Sequence, residues 1–330
     1  MADFRALKIT NDNDGVRRSV ETLPIESLPD HDVLIRVKYS SLNYKDCLSA
    51  TGNKGVTRTF PHVPGIDAAG EVVESRDGAW KAGDQVIVTG YDLGMNTWGG
   101  FGEYIRVPAN WIVACPEGLS LLDAMTLGTA GLTAGLSVQK LLASGVKPED
   151  GAIAVSGATG GVGCIAVALL AKLGFDVSAI SGKPDAEAML TELGAKAILD
   201  RSALEPSPKP MLKELWGGAI DTVGGEALNT LIKSTKAGGS VTACGMVAGL
   251  GFEASVFPFI LRGVNLLGVD SVEIPLKAKA EIWQLFANEW SLSLPESAIQ
   301  IKSLDELSDV IDAMLSGHNT GRVVVKHADA

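Results

Sequence analysis

The stretch "AVSGATGGVGCIAVALLAKLGF", from Ala154 to Phe175, constrains the fold more than any other part of the chain. It sets Gly157, Gly160, Gly161 and Gly163 between two apolar runs. A strand, a glycine turn and a helix start together make an anion cradle. Backbone N–H groups at the helix start point outward, and the helix dipole favours negative charge. In such a turn Gly160 lets the backbone approach a pyrophosphate, and Gly163 lets the helix pack close to the strand. The spacing is G-x-x-G-x-x-G, because Ala158 occupies the first position of the simpler G-x-G-x-x-G. The motif follows an apolar strand and opens a helix, and that context points to a dinucleotide rather than to a bare tight turn.

The chain around it agrees. "GAIAVSG" reads as a strand and Val162–Leu173 as a helix; "DVSAIS" follows as a strand and "PDAEAMLTELG" as a helix. "AKAILD", "AIDTVGG", "GGSVTACG" and "NLLGVDS" are further strands, so the pattern predicts a parallel sheet covered by helices. Residues 1–125 read instead as β-rich, with short Val/Ile runs broken by Gly, Pro and Asp. Between the two regions, "LLDAMTLGTAGLTAGLSVQKLLASG" has helical spacing up to Gly145. After Ser271 come two helical stretches and a last strand, "GRVVVK".

Composition narrows the function. A length of 330 residues suits about two domains. No apolar run reaches the ~18 residues of a spanning helix, and "MADFRALKITNDNDG" lacks a signal-peptide core. The expectation is a soluble, cytoplasmic protein with no membrane partner. A net charge of −11 without Lys/Arg clusters speaks against nucleic acid. Cys47, Cys115, Cys164 and Cys244 lie far apart and form no CxxC pair, which argues against disulfides and a zinc knuckle.

The second strand of the alternating region tells which dinucleotide. An NAD site places Asp or Glu roughly 20 residues beyond the glycines, on the ribose 2′-OH. Here Ser181, Gly182 and Lys183 stand at that strand end, and Arg201 follows the third strand. A hydroxyl and cations without an acid suit a 2′-phosphate, so NADPH is the expected cofactor.

The β-rich start, "GATGGVG" and the returning C-terminal segment resemble the medium-chain dehydrogenase/reductase superfamily over nearly the whole chain. The resemblance implies an α/β protein of two domains. A GroES-like β-rich catalytic domain is built from both chain ends, 1–124 and 272–330, and a Rossmann NADP-binding domain with a parallel sheet, 125–271, is inserted between them. Zinc members of the superfamily carry Cys in a C-x-x-D segment and His-Glu in G-H-E. In "SLNYKD" and "PGIDAAG" this chain has Asn43, Ile66 and Asp67 at those places, so no metal is expected. "SLNYKD" resembles the quinone and enoyl reductase branch. "WGGFGEY", "GAIDTVGG" and "PFILRGVNLLGVDS" resemble its NADPH-dependent acryloyl-CoA reductase group.

That group implies reduction of acryloyl-CoA to propanoyl-CoA, with a quinone reductase or a non-catalytic NADPH-binding protein as alternatives. Tyr44 is the first candidate for catalysis, as donor to the thioester oxygen or to the nicotinamide ribose; a structural role stays open. Asn43 and Asp46 are candidates for orientation, and Asp46 also reads as a cap for a helix beginning around Cys47. The resemblance places Tyr44, Thr159, Gly160, Gly161, Val162, Met246, Ile260 and Ser271 on the cofactor, beside Ser181, Gly182, Lys183 and Arg201 at the strand ends. For the acyl-CoA substrate the candidates are Lys54, Arg58 and Trp98, with solvated loop charges and packing as the alternatives. A homodimer is expected, with "LRGVNLLGVDS" as a strand at its edge.

Overall fold

The computed structural model describes residues 3–328 apart from Asp14. The chain divides into two compact units. One comprises the residues up to Thr129, Ser271–Ser291 and the residues from Ile299 onward; the other comprises Ala130–Asp270 and Leu292–Ala298.

In the second unit six strands form one sheet in the order Ala197–Asp200, Val177–Ser181, Ile153–Ser156, Trp216–Asp221, Thr235–Ala243, Asn265–Gly268, with every neighbouring pair parallel. In chain order this is 3-2-1-4-5-6, the doubly wound order of a Rossmann sheet. All four residues of the strand Ile153–Ser156 and all six of Trp216–Asp221 are buried, as strands covered on both faces must be. The helix Gly161–Lys172 buries Cys164, Ile165, Ala166, Val167, Leu169 and Leu170. Two further helices, Gly225–Ser234 and Phe257–Arg262, complete stretches that the strand alternation leaves unread. Leu261 and Arg262 therefore end a helix, and only Asn265–Gly268 of "LRGVNLLGVDS" forms the outermost strand.

The first unit is β-rich. Its seven-stranded sheet runs Ile299–Lys302, Arg322–Lys326, Val33–Leu42, Asp67–Ser75, Gln85–Thr89, Ile112–Ala114, with Tyr104–Val107 paired to Val33–Leu42 off this path. Neighbours are antiparallel except Ile299–Lys302 with Arg322–Lys326. A second, two-stranded ribbon pairs Asp3–Asp12 with Gly15–Pro24. Phe4, Ala6, Leu7 and Ile9 of that ribbon join Leu42, Cys47, Val63, Phe101 and Leu307 in one core.

The helix Leu121–Ala143 is broken at Gly128, where φ is 54° and ψ is −155°. The helical spacing gave no sign of this. By length and composition the helix could cross a membrane, but 83% of its most apolar 18-residue window is buried, as in a core helix.

Candidate active site

In the second unit the strand order reverses between Ile153–Ser156 and Trp216–Asp221, and open α/β sheets bind ligands outside the strand ends at such a switch point. The glycine turn lies there. Gly157 has φ 58°, in the left-handed region, and a Cβ on it would stand 2.5 Å from Thr222 Oγ1. A Cβ on Gly163 would stand 2.3 Å from the Gly157 carbonyl and 2.7 Å from Ala158 Cα. The helix thus sits against the turn at a distance only glycine permits. On Gly160 a Cβ would approach nothing closer than 3.2 Å, so this residue is not needed for internal packing in the same way.

The turn is braced from the fourth strand by residues that sequence reasoning did not assign. Ser156 Oγ donates to Asp221 Oδ1 at 2.7 Å and accepts from the Thr222 N–H at 2.9 Å; Thr222 Oγ1 donates to the Ser156 carbonyl at 2.8 Å. The Gly224 N–H donates to Asp221 Oδ2 at 2.8 Å. Burial pushes the Asp221 carboxyl above its ordinary value, against these hydrogen bonds. An acid closing a buried strand, with Gly-Gly beginning three residues on, was the available signal.

At the end of the second strand, Ser181 Oγ lies 3.1 Å from Thr159 Oγ1 and accepts from the Lys183 N–H at 3.1 Å. Burial lowers the Lys183 ammonium below its ordinary value. Arg201 opens the turn after the third strand, and a Cβ on Gly182 would stand 2.8 Å from its Cδ and 3.2 Å from its Nε. The structure thus brings Ser181, Gly182, Lys183, Arg201 and Thr159 together, with Gly160, Gly161 and Val162 at the adjoining helix start. Two donors, two cations and no acid at the strand end suit a phosphate monoester. Met246 and Ile260 are 54% and 68% exposed, whereas Ser271 is buried.

In the first unit the helix Tyr44–Ala50 begins at Tyr44, three residues before Cys47. Asp46 is therefore the third helical residue, and its Oδ2 reaches back to accept the Asn43 N–H at 2.8 Å. Its Oδ1 accepts the Ile66 N–H at 2.8 Å, tying the helix start to the segment that leads into the strand Asp67–Ser75. Burial, and then the neighbouring Asp67, push the Asp46 carboxyl up to about 7.

Asp67 is fully buried and gathers four donors. Oδ2 accepts from Ser41 Oγ at 2.6 Å, Asn43 Nδ2 at 2.7 Å and the Thr129 N–H at 2.8 Å; Oδ1 accepts from Thr129 Oγ1 at 2.5 Å. This explains the break at Gly128. A Cβ there would stand 2.4 Å from Ser41 Oγ and 2.6 Å from Asp67 Oδ2. Asp67 takes the N–H that the broken helix releases at Thr129, and Arg322 Nε donates to the Thr126 carbonyl at 2.8 Å on the other side. Zinc does not fit this donor set: Ile66 offers no ligand atom, and the Asn43 amide donates to Asp67. Among the described residues no group of three or more His, Cys, Asp or Glu is placed to hold a metal.

Tyr44 is 41% exposed at the edge of this cluster. Lys54 and Arg58 lie exposed on the following loop, and the Arg58 N–H donates to Asn96 Oδ1 at 3.2 Å. Trp98 is half-buried and packs on the core that contains Phe4 and Phe101.

Comparison with known proteins gives this geometry a context. Residues 29–117 match the family described as alcohol dehydrogenase GroES-like domain, and residues 161–288 the family described as zinc-binding dehydrogenase. The chain is 44% identical over 323 residues to the probable acrylyl-CoA reductase AcuI of Escherichia coli, covering 98% of this chain and 99% of that one. It is 42% identical over 328 residues to the putative quinone oxidoreductase YhfP of Bacillus subtilis, covering 98% of each. The crystal structure of the yhdH oxidoreductase from Salmonella enterica in complex with NADP superposes with a TM-score of 0.94 at 43% identity, over 98% of this chain and 99% of the other. That of Bacillus subtilis yhfP with NAD bound gives 0.96 at 42%, over 99% and 100%.

Proposed function

We propose an activity for a chain that belongs to the medium-chain dehydrogenase/reductase superfamily: NADPH-dependent reduction of acryloyl-CoA to propanoyl-CoA. The protein is an oxidoreductase of that superfamily, and the substrate is the step we add. The observation that carries the cofactor is the flanking of Gly182 by Lys183 and Arg201 at an acid-free strand end. The likeness to a protein named acrylyl-CoA reductase supports the substrate. A quinone reductase is the second reading, favoured by the name of the Bacillus subtilis relative.

When bound, NADPH supplies the hydride that adds to the β-carbon of the substrate. The alkene electron pair then shifts to the thioester as an enolate, and the α-carbon takes a proton. The chain's part is to bind, orient and stabilise. Thr159, Gly160, Gly161 and Val162 hold the pyrophosphate at the helix start. Ser181, Gly182, Lys183 and Arg201 hold the 2′-phosphate, and Met246, Ile260 and Ser271 serve the nicotinamide end. The enolate oxygen needs an N–H or O–H donor, since no metal fits. Tyr44 is that donor or holds the nicotinamide ribose, while Asn43 and Asp46 fix the start of its helix. Lys54 and Arg58 meet the CoA phosphates and Trp98 walls the acyl group. The active form is a homodimer: Leu250, Val256 and Leu261, exposed by 88%, 64% and 63%, lie in the chain leading to the outermost strand Asn265–Gly268.

The test is NADPH oxidation, followed by absorbance, with acryloyl-CoA, crotonyl-CoA and a simple quinone offered separately to the purified protein. Acryloyl-CoA is expected to have the highest specificity constant, with crotonyl-CoA lower by roughly 10–200-fold for its added methyl. A higher constant for the quinone supports the second reading. Oxidation with none of them leaves a non-catalytic NADPH-binding protein.

A further inference from the structure

Lys279 lies on the helix Leu276–Ala287, and none of it is exposed. Its Nζ donates to the Thr89 carbonyl at 2.6 Å, at the end of the strand Gln85–Thr89, and to the Val272 carbonyl at 2.8 Å. It also stands 3.4 Å from the centre of the Tyr91 ring, within cation–π range. Tyr91 is held in turn by the segment that Lys279 grips. Its hydroxyl donates to the Ile274 carbonyl at 3.1 Å and its N–H to the Val272 carbonyl at 3.3 Å. Its ring stacks on Trp111 with centroids 5.7 Å apart. The Tyr91 φ is 51°, a left-handed conformation that a bulky residue keeps only when its surroundings enforce it.

An ammonium inside a protein is unfavourable unless it is hydrogen-bonded; here it is bonded, and a methionine of similar volume would withdraw that donor from the Thr89 and Val272 carbonyls. What the lysine adds is direction. It joins a strand end to Val272, and through Tyr91 it reaches Ile274. Val272 follows Ser271 directly, and Ile274 lies three residues beyond it. We propose that Lys279 is a positioning residue that locks the Ser271–Ile274 segment so that Ser271 meets the cofactor. The proposal rests on the reading of Ser271 as a contact at the nicotinamide end, the part that NADPH and NADH share.

Lys279→Met and Ser271→Ala, alone and combined, test it through NADPH and NADH dissociation constants, kcat and the thermal midpoint. Lys279→Met is expected to weaken both cofactors by the same factor, on the order of 10-fold for a lost charge-assisted pair, with their ratio unchanged. Ser271→Ala should weaken both as well, and the double variant should bind no worse than the weaker single one. A lower thermal midpoint with unchanged binding well below it would make Lys279 purely structural and overturn the proposal. Weakening by Ser271→Ala but not by Lys279→Met also overturns it while leaving Ser271 on the cofactor. Weakening by Lys279→Met alone overturns the role given to Ser271. Where Lys279→Met does not fold, Tyr91→Phe, which removes only the hydroxyl bond to Ile274, should weaken NADPH and NADH by the same factor, and unchanged affinity for both would overturn the proposal.

Discussion

Asp46→Asn should change how stability depends on pH, with a sign and size set by one buried carboxyl. Burial and the neighbouring Asp67 raise Asp46 from 3.8 to about 7. A carboxyl raised on folding holds its proton more tightly in the folded than in the unfolded chain. Its stabilising contribution is therefore complete below about pH 4 and lost as pH rises through about 7. Of that loss, about 2–3 kcal/mol falls between pH 5 and pH 8, at about 1.4 kcal/mol for each pH unit spanned by the shift. Asparagine does not titrate, but its amide turns an NH₂ toward one of the two N–H groups, of Asn43 or Ile66, that donate to the carboxyl oxygens. That mismatch costs about 1–3 kcal/mol at every pH. The wild type should therefore be clearly more stable at pH 5, and its advantage should shrink by about 2–3 kcal/mol by pH 8. His327 opposes this trend, because burial lowers it to about 4 and removes stability as pH falls. It does so in both proteins and cancels in their difference. The assay is urea unfolding of both proteins at pH 5, 6, 7 and 8. A difference in unfolding free energy that stays constant across this range would refute the reasoning.

Lys183→Ala should raise the NADPH Michaelis constant by about 10–100-fold and leave NADH nearly unaffected, since only NADPH carries the 2′-phosphate. Ser181→Asp should narrow or reverse the preference by repelling that phosphate; the ratio of the two specificity constants, at fixed ionic strength, checks both. Tyr44→Phe should lower kcat by about 100-fold with NADPH affinity kept if Tyr44 donates to the enolate oxygen. If it holds the ribose, affinity should fall instead, and steady-state kinetics beside cofactor titration separates the two.

What was legible in the sequence was what the local chain determines. The glycine turn follows from neighbouring residues: Gly157 needs a left-handed backbone and Gly163 a close helix, and both demands lie within the motif. The parallel strands were readable because burial on both faces leaves apolar runs, as in Ile153–Ser156. The ribbon Asp3–Asp12 with Gly15–Pro24 was missed, since its second strand is largely exposed and carries Arg17, Arg18 and Glu21. The break at Gly128 was hidden because its causes are distant: Asp67 lies 62 residues from Thr129, and Arg322 196 residues from Thr126. The role of Lys279 was hidden for the same reason, since its carbonyl partner Thr89 is 190 residues away. The Asn43 position was found from the motif, but the carboxylate that orients it became visible only when the sheet placed Asp67 beside it.

The central claim is hydride transfer to the β-carbon of an enoyl thioester, and isotope placement tests it most directly. The enzyme is run on acryloyl-CoA with NADPH carrying deuterium at both C4 positions of the nicotinamide, and the product is read by NMR and mass spectrometry. Propanoyl-CoA with one deuterium, at the β-carbon, and a solvent proton at the α-carbon is the result this account predicts. Deuterium at the α-carbon, a product without label, or oxidation of NADPH with no propanoyl-CoA formed would contradict it.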